Sequence, residues 1–140
     1  MQHTIIKNAN IINEGIQIQG DLLISNDRIE KIGGSIDIKA RANEIDGTGL
    51  HVLPGVIDDQ VHFREPGLTH KASIYTEAKA AVAGGTTSFM EMPNTSPAAL
   101  TVELLEQRYS RAAESSLANY SFFMGTSNDN LEEILQINKK

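Results

Sequence analysis

Ala80–Met92 reads AAVAGGTTSFMEM, and its periodicity changes in the middle. Upstream of it, Ile74, Ala78, Ala81 and Val82 recur at helical spacing and line one face of a helix. Gly84-Gly85 supplies a C-terminal stop. Downstream, "TTSFMEM" (Thr86–Met92) reads as a strand that Pro93 ends. A helix thus hands over to a strand within one short stretch, which is half of a repeating unit.

Working outward, "HVLPGVID" (His51–Asp58) is an apolar run ending in acids, and "ANYSFFMG" (Ala118–Gly125) reads as a third strand. Thr101 is placed to cap a helix whose apolar stripe is Val102, Leu105, Tyr109 and Ala112. Leu131, Ile134 and Leu135 begin another helix after Asn130. Strands are therefore expected near 52–58, 86–92 and 118–124, each followed by a helix. Right-handed crossovers make such a βαβαβα sheet parallel. A doubly wound sheet and the opening of a (β/α)8 barrel both satisfy this period.

Residues 1–50 read differently. "HTIIKNANII" (His3–Ile12) is rich in β-branched residues, and "GIQIQGDLLIS" (Gly15–Ser25) alternates at Ile16, Ile18, Leu22 and Ile24. Asn26-Asp27 offers a hairpin turn, and Gly33-Gly34 a stop. A small antiparallel module is expected, with too few strands to bury both faces of a sandwich alone. Residues 51–140 are expected to hold three βα units. Their sheet would have uncovered edges, so the chain is expected to be the front of a longer protein or to need a partner.

The composition fits a soluble globular protein: 40% hydrophobic and 21% charged, with a net charge of −6. That charge argues against nucleic-acid binding. The N-terminal residues lack the pattern of a signal peptide, and no apolar run reaches the ~20 residues of a membrane helix. A soluble, cytoplasmic protein is expected. With no cysteine, any metal must be held by histidine, carboxylate or amide ligands.

In parallel α/β sheets reactive groups lie beyond the C-terminal ends of strands. Asp58, Asp59, Gln60, His62 and Arg64 follow the first strand. Glu91, Asn94 and Thr95 follow the second, and Thr126, Ser127 and Asn128 the third. Alternation along an extended backbone puts Gln60, His62 and Arg64 on one side. His62 then reads either as a zinc ligand or as a rim histidine with no special partner. Arg64 suits a carboxylate or phosphate, the bland alternative being a salt bridge to Glu65 or another acid. Asn94 offers an amide, or a local Asx turn. His3, His51 and His70 read as structural or solvated.

"LPGVIDDQVHFREPGLTHK" (Leu53–Lys71) with "AAVAGGTTSFMEMPNTSP" (Ala80–Pro97) resembles the dihydroorotases of the amidohydrolase superfamily, in register from about residue 45 to 100. The N-terminal strands resemble the first part of that superfamily's small β-sandwich. The resemblance implies a (β/α)8 barrel with a zinc centre of one or two ions at its rim. It implies reversible cyclisation of carbamoyl aspartate to dihydroorotate, in pyrimidine synthesis. His62 falls on a metal-ligand position, and Arg64 and Asn94 on those holding the substrate carboxylate. A small-molecule substrate and a homo-oligomer, possibly a dimer, are implied, with neither nucleic acid nor membrane as partner.

Two features depart from the family pattern. Gln60 stands where the family has histidine, and its amide oxygen is a weaker zinc ligand than imidazole. The other metal-binding histidines, the bridging carboxylate and the catalytic aspartate would all lie past Lys140, so no catalytic residue is expected within 1–140 and no turnover from this chain alone. Hydantoinases and allantoinases share the strand-end signature; Arg64 with "MPNT" favours dihydroorotase. Gln60 keeps open a non-catalytic structural partner, for instance to aspartate transcarbamoylase. A small α/β domain with a polar rim and no chemistry is the blandest alternative.

Overall fold

The computed structural model describes residues 2–137, and the chain divides into two compact units between Pro54 and Gly55. The first unit is a five-stranded sheet of β1 (His3–Asn13), β2 (Ile16–Ser25), β3 (Arg28–Gly33), β4 (Ala42–Asp46) and β5 (His51–Val52). Two-residue turns at Glu14-Gly15 and Asn26-Asp27 join the first three strands as antiparallel hairpins, and Glu14, Gly15 and Asn26 all have positive φ. Such turns match the right-handed twist of the strands they join.

The remaining pairings correct the expectation of a purely antiparallel module. β4 and β5 both run parallel to β1, giving the order β3-β2-β1-β4 with β5 also on β1. The cause lies after Gly33, where the chain crosses instead of turning back. Ile36 packs with Ile5 and Leu23 in a small core, and the chain reaches the far side of β1 in the same sense as β1. Buried Asp21 fixes this crossing, because its carboxylate accepts the backbone N–H of Ile36 at 2.8 Å and of Asn8 at 3.0 Å. Asn8 sits in the left-handed region at φ 59°, where the β1–β2 register shifts.

The second unit comprises β6 (Val56–Val61), α1 (Ile74–Ala83), β7 (Thr86–Glu91), α2 (Val102–Ser115), β8 (Asn119–Phe122) and α3 (Leu131–Ile134). The strands form a parallel sheet in the order β6-β7-β8, so the chain carries mixed α/β architecture. The first strand starts later than expected: His51 and Val52 pair with β1, and β6 begins only at Val56. Residues 138–140 of the expected third βα unit lie outside the described residues.

Local chemistry explains the helix limits. Ser73 and Thr76 form a reciprocal capping box on α1, and Gly84 closes it, followed by Gly85 at φ 91°. Thr101 accepts the N–H of Leu104 at the start of α2. Asn130 precedes α3 without capping it. Its side chain instead donates to the carbonyls of Leu100 and Gly125 and accepts from Ser127 N–H. Phe63, Ile74, Ala78, Phe89, Ala112 and Phe122 make the core of this unit.

The Asp21 tie makes stability depend on acid. The N–H groups of Ile36 and Asn8 hold its carboxyl below the usual aspartate range. A lowered folded-state value adds stability at pH above the unfolded-state value, and that stability is lost as pH falls through the folded-state value. Asp21→Asn should lower the stability of the chain in urea by about 2 kcal/mol near neutrality. The gap from the parent should narrow on acidification; a gap that stays constant with pH would contradict this.

Candidate active site

The polar groups at the strand ends are set by a bulge in β6 and by one buried carboxylate. Asp58 pairs with Phe89 and Val61 with Glu91, so three steps on β6 match two on β7. This bulge holds Asp59 and Gln60 as the extra length, with Gln60 N–H donating to Asp58 Oδ1 at 3.1 Å. Asp59 and Gln60 both line an open cleft of about 470 Å³ beyond the strand ends, together with Met92, Pro93 and the 123–126 segment.

His62 follows directly. Its Nδ1 lies 2.9 Å from Oδ1 of Asn94, beyond the end of β7. With Nδ1–H donating to that oxygen, the lone pair of the neutral ring sits on Nε2, the arrangement a metal-binding histidine needs. Asn94 keeps its amide hydrogens for another acceptor. So the structure brings His62 and Asn94 together, and neither the partnerless rim histidine nor the local Asx turn describes them.

Arg64 departs from the alternation expected along an extended strand. β6 ends at Val61, and Arg64 has φ 71°, in the left-handed region that arginine rarely adopts. Extended geometry therefore does not carry the side chains of Gln60, His62 and Arg64 onto one side. Arg64 is half-buried, and among the described residues its guanidinium has no carboxylate partner. Glu65 is engaged elsewhere: it lies 3.8 Å from Arg111 and accepts Ile74 N–H at 2.9 Å.

Glu91, at the end of β7, has no solvent exposure. Its Oε1 accepts both Phe63 N–H and Arg64 N–H at 3.1 Å. Its Oε2 lies 2.8 Å from Nη2 of Arg108, which donates to the Met92 carbonyl at 3.0 Å. Oε2 is thus held by charge without a directed hydrogen bond. The Arg108 guanidinium lies 4.7 Å from the centre of the Phe122 ring. Burial pushes the Glu91 carboxyl above its ordinary value, opposed by Arg108 and by the Arg64 and Phe63 N–H groups.

Sequence reasoning named Glu91 only as one polar residue among several and missed Arg108. A signal was present. Leu105, Arg108, Tyr109 and Ala112 occupy one helical face, so Arg108 stands on the apolar stripe and needs a buried acid. Among the described residues, no three histidine, aspartate or glutamate side chains are grouped to hold a metal. The described residues therefore do not by themselves make a complete set of metal ligands. His3 meets Ser25 Oγ at 2.7 Å, while His51 and His70 are exposed.

The 64–67 and 93–97 loops pack closely. Ser96 N–H donates to the Pro66 carbonyl at 3.1 Å, and Gly67 has φ 83°. A Cβ on Gly67 would lie 1.9 Å from the Ser96 carbonyl oxygen. Gly67→Ala should therefore destabilise the chain by about 2 kcal/mol or more, through a strained φ and a backbone clash. A urea midpoint indistinguishable from the parent would show that these loops are not packed this way.

The dihydro-orotase-like family matches residues 49–138. The dihydroorotase of Streptococcus thermophilus (strain CNRZ 1066) is 42% identical over 115 residues, covering 81% of this chain and 27% of that protein. The dihydroorotase of Wolbachia sp. subsp. Drosophila simulans (strain wRi) is 44% identical over 119 residues, covering 83% and 27%. Among solved structures, the L-hydantoinase (dihydropyrimidinase) of Arthrobacter aurescens matches with a TM-score of 0.91 at 26% identity, covering 99% of this chain and 31% of that one. A D-hydantoinase from Thermus sp. matches with a TM-score of 0.79 at 30% identity, covering 96% and 30%. The chain spans 27% of the length of the curated relatives it matches first.

Proposed function

Because the chain belongs to the dihydro-orotase-like family, we propose that it is the N-terminal part of a dihydroorotase, which interconverts carbamoyl aspartate and dihydroorotate. On this reading the β6-β7-β8 sheet opens a (β/α)8 barrel, and the first unit is part of a small β-sandwich. The observation that supports it best is the 2.9 Å contact of His62 with Asn94, which joins the ends of β6 and β7.

In the proposed site, Arg64 binds the substrate's free carboxylate through its planar donor fork. The Asn94 amide hydrogens bind the same carboxylate, while its oxygen orients the His62 ring. The substrate is thereby anchored beside the imidazole, which lowers the entropic cost of bringing the reacting ends together. His62 Nε2 would hold a zinc ion; polarisation of the ring amide carbonyl is the chemistry zinc supplies when bound. Gln60 occupies the place of a second ligand with a weaker donor. The complete centre, a small-molecule substrate, a homo-oligomer and a role in pyrimidine synthesis in the cytoplasm belong to the same proposal. Among the described residues, no helix is long and apolar enough to cross a membrane.

The hydantoinase structures support a second reading, a hydantoinase-type cyclic amidohydrolase. The two readings part at Arg64, because hydantoin carries no ring carboxylate. The test joins this chain to the portion of the S. thermophilus dihydroorotase that follows its matched region. The joined enzyme should close carbamoyl aspartate to dihydroorotate, whereas the chain alone should give no turnover. Arg64→Ala should raise KM about 100-fold. An unchanged KM, or preference for hydantoin, would contradict the assignment.

A further inference from the structure

We infer that Glu91 is the positioning residue of the proposed substrate clamp: its buried carboxylate shapes the 62–64 turn, and Arg108 is the counter-ion that holds it there. The inference rests on the reading of Arg64 as carboxylate binder. The geometry begins with two neighbouring N–H groups. In a regular strand successive N–H groups point to opposite edges, yet those of Phe63 and Arg64 both reach Glu91 Oε1 at 3.1 Å. Successive N–H groups converge on one anion in a nest, where one of the residues takes left-handed geometry. Arg64, at φ 71°, is that residue.

The acid thus holds Arg64 in a conformation its own side chain disfavours, and the departure of Arg64 from strand alternation follows from it. Arg108 is 1% exposed, lies over Phe122 and binds the Met92 carbonyl. It has no route to substrate, so it acts through Glu91. Neither residue is catalytic, because neither touches the reacting atoms.

The test uses Glu91→Gln. In the 140-residue chain, amide exchange of Phe63 and Arg64 should quicken by about 10-fold or more while β7 amides keep their protection. If the variant fails to fold because Arg108 is left buried without a counter-charge, Glu91→Gln/Arg108→Met removes both charges and is read in the same way. Two amides as protected as in the parent would overturn the inference, whatever the substrate. In the joined enzyme, Glu91→Gln should raise the KM for carbamoyl aspartate about 10-fold, and should add nothing to Arg64→Ala. Additive effects would overturn the positioning role. An Arg64→Ala variant with unchanged KM would instead overturn the substrate reading, while the exchange result still judges Glu91.

Discussion

Glu91 and Arg108 are both charged and both removed from water, and the second unit is organised around keeping them together. The acid ends β7, the base comes from α2, and the two N–H groups the acid accepts belong to the chain leaving β6. One carboxylate therefore ties two strands and a helix at the rim where the polar residues gather. Removing either partner would leave an uncompensated buried charge, which is far more costly than removing both. The pair gives geometry more than net stability.

The aromatic core supports this arrangement. Phe63 lies 4.4 Å from Phe89, and Tyr109 meets Phe122 edge-on at 5.0 Å, ring centre to ring centre. Phe122 also presents its face to Arg108. The side chain of Phe63 is thus fixed in the core while its N–H is fixed on Glu91, leaving His62 and Arg64 on either side of a doubly anchored residue. Rigid support of this kind is what a binding constellation needs, since misplacement by about 1 Å can cost orders of magnitude in rate.

Much of this fold could be read from local patterns. The helical spacing of Ile74, Ala78 and Ala81, the stop at Gly84-Gly85 and the Thr101 cap each act within one turn of chain, and each appears where the sequence placed it. The Asn26-Asp27 hairpin is equally local. What escaped depends on distant partners. The parallel placement of β4 on β1 follows from Ile36 packing and the Asp21 tie, which join residues far apart in sequence. Strict alternation through Arg64 failed because it assumes an extended backbone, and a carboxylate on another strand bends that backbone into a nest. His62, Asn94 and Arg64 were legible as residue types; the bond between the first two and the left-handed turn of the third were not.

Comparison with known proteins adds a family and leaves the chemistry to the site. Dihydroorotases share the sequence over most of this chain, and hydantoinases share its shape. On the proposed reading, the distinction between them lies in whether the strand-end arginine meets a carboxylate. A crystal structure of the joined enzyme with dihydroorotate bound addresses that most directly. It should show the ring carboxylate against the Arg64 guanidinium and the Asn94 amide, with His62 still bonded to the Asn94 oxygen. A carboxylate held by other groups, with Arg64 turned away from the ligand, would contradict the account.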